Sequence, residues 1–124
     1  MIYLDTHVVV WLYAGEITKL SEPVKELIND NDIMISPVVR LELQYFFEIQ
    51  RITDEAHIIV ADLSDRIGLK TCDKNFNVVI SSALGYCWTR DPFDRIIVAN
   101  AAVNSNILVS KDQNILDNYE KAIW

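Results

Sequence analysis

Four carboxylates occupy positions where the chain could do chemistry. Asp5 directly follows the apolar run Ile2-Tyr3-Leu4, and Asp112 follows Ile107-Leu108-Val109 after the step Ser110-Lys111. Glu42 lies within an apolar stripe formed by Val38, Leu41, Tyr45, Phe46 and Ile49. Asp94 heads a second stripe, Ile97, Val98 and Ala101. Each acid alone has an ordinary explanation. Asp5 could cap a helix, Glu42 could pair with Arg40 or Arg95, Asp94 could complement a helix dipole, and Asp112 could cap or turn. Together they point to one crevice. Carboxylates 4–8 Å apart repel by about 2–4 kcal/mol per pair at an effective dielectric near 20, so such a cluster needs protons or cations. An all-oxygen donor set selects Mg²⁺ or Mn²⁺. His7 and His57 are too few and too scattered for a zinc set and read as ordinary helix residues.

The elements that must position these acids are legible from local signals. Ile2–Leu4, Ile33–Ile35 and Ile107–Val109 are short, continuously apolar runs suited to buried strands, and 122–124 suits a last edge strand. Thr6 can cap a helix that ends at Gly15, and Ser21-Glu22-Pro23 opens a second. Pro37 opens a third, to about Gln50. Thr53-Asp54-Glu55 opens a fourth, with Ala56, Ile59, Val60, Leu63 and Ile67 on its inner face. Asp73 or Asn75 starts a fifth, whose stripe is Phe76, Val79, Ile80, Ala83 and Leu84. Pro92 opens a sixth, with Asp91 as its cap, and Gln113 to Tyr119 forms a short seventh. Strands alternating with helices predict an α/β domain with a short central parallel sheet covered on both faces. Ligands bind at the carboxyl ends of such strands, where Asp5 and Asp112 fall.

The chain of 124 residues fits a single domain over 1–124, without repeats or Gly/Ser linkers. It is 51% hydrophobic and 23% charged, which suits a folded globular domain. No apolar run approaches the roughly 20 residues of a membrane span, and the N-terminus lacks the basic and apolar regions of a signal peptide. Cys72 and Cys87 form no CxxC and are expected to be reduced core residues of a cytoplasmic protein. The net charge of -7 opposes simple counterion-release binding of nucleic acid, so any such function must supply positive charge locally.

Four segments together resemble the motif regions of PIN-domain ribonucleases, most closely the VapC-type toxins of toxin–antitoxin pairs. They are Leu4-Asp5-Thr6-His7, Ser36 through Leu43, Thr89 through Ala101 with its Asp91-Pro92-Phe93-Asp94-Arg95 run, and Leu108 through Asp112. The resemblance spans nearly the whole chain, with the motifs in the family's order. It implies a Mg²⁺- or Mn²⁺-dependent endoribonuclease. Asp5, Glu42, Asp94 and Asp112 match the family's acidic metal-binding positions, and Thr6 and Ser110 match its small hydroxyl positions. The last motif departs from the family: Ser110 stands where a Thr is common, and Gln113 where a Phe often follows the acid. The resemblance also implies an antitoxin partner, expected to carry a basic segment.

Hydrolysis of an RNA phosphodiester is the reaction this set would perform. Arg40, Arg90, Arg95 and Lys111, near the acids in sequence, could hold flanking phosphates. A homodimer is expected too, because Val39, Leu43 and Phe47 form a second apolar line beside the first on the helix from Pro37. Two other classes compete. A phosphoryl-accepting signalling domain would want paired acids after the first strand, where Thr6 and His7 stand. A silent PIN-like binding module would have no need of four intact acids.

Overall fold

The computed structural model describes residues 1–124. Five parallel strands form one sheet in the order β3-β2-β1-β4-β5: β1 (Ile2–Leu4), β2 (Ile33–Ile35), β3 (Lys70–Thr71), β4 (Ile107–Val109) and β5 (Ala122–Ile123). The helices are α1 (Thr6–Ala14), α2 (Glu22–Asp30), α3 (Pro37–Glu48), α4 (Ala56–Ile67), α5 (Phe76–Ala83), α6 (Pro92–Ala102) and α7 (Gln113–Asn118). No helix is long and apolar enough to cross a membrane.

The strand order sets the location of the crevice. β1 is central, pairing Ile2 with Ile33 on one side and with Ile107 on the other. The chain fills one flank with β2 and β3, then returns to fill the other with β4 and β5. Connections therefore diverge between β1 and β4, and a doubly wound sheet opens its ligand crevice at that switch point. Asp5 and Ser110, the residues after β1 and β4, stand there with little side-chain exposure.

Local sequence explains the boundaries. Ser21, Ser36, Asn75, Asp91 and Asp112 each cap the helix that follows through a side-chain oxygen. Gly15 and Gly68 end α1 and α4 in the left-handed conformation, both at φ 72°. At α1 the expected cap is displaced by one residue. Asp5, not Thr6, accepts the bond from the first helical N–H, so a single residue ends β1 and starts α1.

Two apolar faces differ from expectation. On α3 the buried residues are Val39, Leu43 and Phe46, while Leu41, Tyr45 and Ile49 are 61%, 48% and 43% exposed. The helix is rotated by about one position, because it packs against both α4 and α6. Val39 and Leu43 thus belong to the core and supply no second exposed face. On α5 only Val79 and Ala83 are buried; Phe76 and Leu84 face outward. Cys87 is exposed rather than in the core, and both cysteines are free. β3 carries no apolar signal and was invisible in the sequence, since its two residues, Lys70 and Thr71, lie on the edge side of β2.

Candidate active site

The carboxyl edge of the sheet opens into a cleft of about 510 Å³. Asp5, Glu42, Asp94 and Asp112 all line it, with His7, Tyr45, Phe46, Arg51, Asp91, Pro92 and Phe93. Each acid arrives on a different element. Asp5 ends β1, Glu42 lies one turn into α3, Asp94 is in the first turn of α6, and Asp112 caps α7.

Asp5 is the most firmly held. Its Oδ1 accepts from Thr6 N at 2.8 Å and its Oδ2 from Ser110 Oγ at 2.7 Å. Ser110 Oγ in turn accepts from Asp112 N at 3.1 Å. One hydroxyl therefore ties the acid after β1 to the acid after β4. Asp112 Oδ1 accepts from Ile115 N at 3.1 Å, which anchors Asp112 although Gln113, not Phe, follows it. Asp91 accepts from Phe93 N and Asp94 N at 2.8 and 3.3 Å, fixing the turn that carries Asp94 into the cleft.

None of the four acids forms an ion pair; the salt bridges lie elsewhere, at Glu16, Glu22, Glu55 and Asp62. Their electrostatics follow from that. Burial raises the Asp5 carboxyl, against the hydrogen bonds from Ser110 and Thr6 that favour its charged form. Burial raises Glu42 as well, with Asp5 and Asp91 adding to it and the Thr6 hydroxyl opposing. Asp94 is pushed up to about 7, first by burial and then by Asp91, Asp5, Asp112 and Glu42. Thr6 Oγ1 is the one buried side-chain oxygen without a hydrogen-bond partner. It stands near enough to Glu42 to influence its charge, but no bond of good geometry closes between them.

The four acids fit a hard divalent cation by chemistry: they offer only oxygen donors, none of them is ion-paired, and no thiolate shares the cleft. As the side chains stand, no three of them converge tightly enough to coordinate one ion together.

The model of the PIN domain family matches residues 2–121. The chain belongs to the PIN domain family. In shape this PIN domain is similar to a chain in the crystal structure of VapBC2 from Rickettsia felis bound to a DNA fragment from their promoter. The TM-score is 0.66 at 19% identity, covering 99% of this chain and 96% of that one. No curated protein sequence matches it.

The cations near the acids in sequence lie elsewhere on this PIN domain. Arg95 donates to the carbonyls of Ala83 and Leu84. Arg90 lines the groove between α5 and α6 with it. Arg40 lines grooves beside α4. Lys111 sits 5.9 and 5.8 Å from the rings of Trp11 and Trp124. None of the four lines the carboxylate cleft. Its guanidinium is Arg51, which lies past the end of α3 and 5.9 Å from the Phe46 ring. Sequence proximity could not find it, since even Glu42, the nearest of the four acids, is nine positions away. His7 also lines the cleft, 5.4 Å from Phe46, where a positive charge would favour ionised Asp5. Its place two residues beyond Asp5 was the available signal.

Proposed function

We propose that this PIN domain is a VapC-type endoribonuclease toxin that hydrolyses RNA phosphodiester bonds with Mg²⁺ or Mn²⁺. The observation that carries the reading is the convergence of four unpaired carboxylates on one cleft at the sheet's switch point. Family membership and the shared shape support it.

Asp5, Glu42 and Asp94 would hold the ion, and Asp112 would offer the oxygen not engaged in its cap. A divalent ion bound there supplies Lewis acidity, lowering the pKa of water and stabilising charge on phosphoryl oxygens. Ser110 and the Thr6 N–H orient Asp5 toward that role, and Asp91 does the same for Asp94 through the backbone. Asp94, raised to about 7, is the carboxyl that gives up a proton as positive charge enters. Phe46, Pro92 and Phe93 wall the cleft with apolar surface, which lowers the local dielectric and strengthens these interactions. Arg51 holds a phosphate beside the scissile one. Arg40, Arg90 and Lys111, outside the cleft, are left to contact more distant phosphates.

A chain of net charge -7 gains little from non-specific RNA contacts, so its target is recognised by shape. The same charge suits a basic antitoxin segment that inserts an Arg or Lys among the carboxylates and competes with the ion. The similar R. felis chain comes from a VapBC2 structure, which supports a partner of this kind. The toxin acts in the cytoplasm as a homodimer, joined through the exposed Phe76 of α5 and Leu84 at its C-cap.

Expression tests the toxin assignment. Wild-type protein should arrest growth, Asp5→Asn should not, and a neighbouring gene encoding a short basic protein should rescue the wild type. Harmless accumulation of soluble wild-type protein would overturn it.

A further inference from the structure

The two helix-borne acids of the cleft each bring an aromatic ring with them. Tyr45 lies one turn after Glu42 on α3, and Phe93 immediately precedes Asp94 on α6. Their rings meet across the cleft, nearly parallel at 28° with centroids 6.4 Å apart. Phe46 continues the surface, 6.2 Å from Tyr45, and carries the Arg51 guanidinium over its ring. This aromatic face lines the same cleft as the four acids.

The core does not explain Tyr45. It is 48% exposed, and its hydroxyl takes part in no hydrogen bond, unlike those of Tyr3, Tyr13 and Tyr119. A large ring presented to solvent beside a catalytic cleft has apolar area left to offer a ligand. The ligand must also tolerate five acids, counting Asp91, and gain from one guanidinium. An unstacked nucleobase with its attached phosphate meets both conditions: the base offers a neutral π-face, and the phosphate pairs with Arg51. A duplex does not, because its bases are already stacked and its surface toward the cleft is phosphate.

We propose that Tyr45, with Phe93, forms a base-stacking subsite that takes an unpaired nucleobase next to the scissile phosphate. This rests on the reading of the cleft as the RNA-cleaving site. The subsite requires splayed nucleotides and supplies affinity that the acidic surface withholds. Arg51 fixes the polarity of the strand by holding the phosphate on the Phe46 side.

The test uses the full chain and a short single-stranded RNA with a mapped cut. The same oligonucleotide is also made with an abasic residue at each position flanking that cut. Tyr45→Ala should lower kcat/KM by about 10- to 100-fold, the range of one lost base stack. Tyr45→Phe should retain the wild-type value. One abasic position should impose the same loss on wild type and no further loss on Tyr45→Ala. The melting temperature should be unchanged, because the ring is half exposed. A second readout does not depend on cleavage. With 2-aminopurine at that position, Asp5→Asn protein in Mg²⁺ should quench its fluorescence, and Asp5→Asn/Tyr45→Ala should not. Undiminished cleavage by Tyr45→Ala with abasic substrates cut at full rate would overturn the subsite while leaving the nuclease intact. Tyr45-dependent quenching without any cleavage by wild type would sink the nuclease assignment and keep the single-strand subsite. Quenching that is absent, or indifferent to Tyr45, would overturn it.

Discussion

Ser110 Oγ donates a 2.7 Å hydrogen bond to Asp5 Oδ2 across 105 positions of sequence, and the same oxygen accepts from Asp112 N. The hydroxyl stands where β1 and β4 part and is itself fully buried. Its removal leaves Asp5 one bond short and Asp112 N without its acceptor. Ser110→Ala should therefore cost about 1–3 kcal/mol of stability and lower kcat more than it raises KM. Ser110→Thr should restore both. Urea melts paired with steady-state kinetics on RNA check this; an inert Ser110→Ala would show that the bond positions nothing.

The apo protein should become less stable as pH rises toward 8. Burial, then Asp91, Asp5, Asp112 and Glu42, lift Asp94 from 3.8 to about 7. Between those values the native state holds a proton that the unfolded chain has released. The associated stability is full below about pH 4 and is lost as pH passes through 7. Asp94→Asn removes this dependence, so in EDTA its melting temperature should exceed the wild type's at pH 8 by about 4 °C, the effect of roughly 1 kcal/mol. Calorimetry from pH 5 to 8 measures it. A large drop in the variant would make Asp94 a structural cap.

Divalent ions should reverse that trend. Ligand carboxylates must be ionised to bind, so Mn²⁺ affinity should climb with pH until Asp94 has titrated, near 7. At 100 times its dissociation constant the ion adds about 2.7 kcal/mol of stability. Thermal shift with Mn²⁺ should be larger at pH 8 than at pH 6. A shift that does not vary with pH, or that Asp5→Asn leaves untouched, would place the ion elsewhere.

The carboxyl edge of the sheet also holds a buried polar network that does not line the cleft. Ser36 Oγ donates to Asn100 Oδ1 at 2.6 Å, Asn100 Nδ2 donates to Cys72 Sγ at 3.2 Å, and Tyr3 OH reaches the same sulfur at 3.1 Å. Asn100→Leu strands the Ser36 hydroxyl and should cost about 1–3 kcal/mol. Cleavage per folded molecule should be unchanged. A matched loss of kcat at full stability would instead tie the network to the cleft.

Dimerisation should depend on α5. Leu84, the C-cap of α5, is 74% exposed, and Phe76, at the start of the helix, is exposed too. Light scattering at micromolar concentration should report a dimer for wild type and a monomer for Leu84→Glu. A wild-type monomer would contradict the homodimer.

What the sequence disclosed follows from the range of each signal. The apolar runs of β1, β2 and β4 are local, and so are the Ser, Asn and Asp caps, which is why the α/β order was legible. Helix rotation is not local. On α3 two apolar stripes compete, and only packing against α4 and α6 selects Val39, Leu43 and Phe46 over Leu41, Tyr45 and Ile49. Glu42 reaches the cleft from the border of that buried stripe, not from its middle. The acids were legible as candidates because β1 and β4 deliver Asp5 and Asp112 to one edge of the sheet. Arg51 and the ring of Phe46 meet Asp5 only in three dimensions. The cations near the acids in sequence were drawn away by Ala83 O for Arg95 and by Trp11 and Trp124 for Lys111.

Single-turnover cleavage of a single-stranded RNA tests the central claim most directly, with wild type and the four variants Asp5→Asn, Glu42→Gln, Asp94→Asn and Asp112→Asn compared in Mn²⁺ and in EDTA. The account predicts cleavage by wild type in Mn²⁺ only. It also predicts losses of at least about 100-fold for Asp5→Asn, Glu42→Gln and Asp94→Asn, with all variants folded, as removal of groups acting on the transition state requires. Cleavage that persists in EDTA, or in folded Asp5→Asn and Asp94→Asn at the wild-type rate, would contradict it.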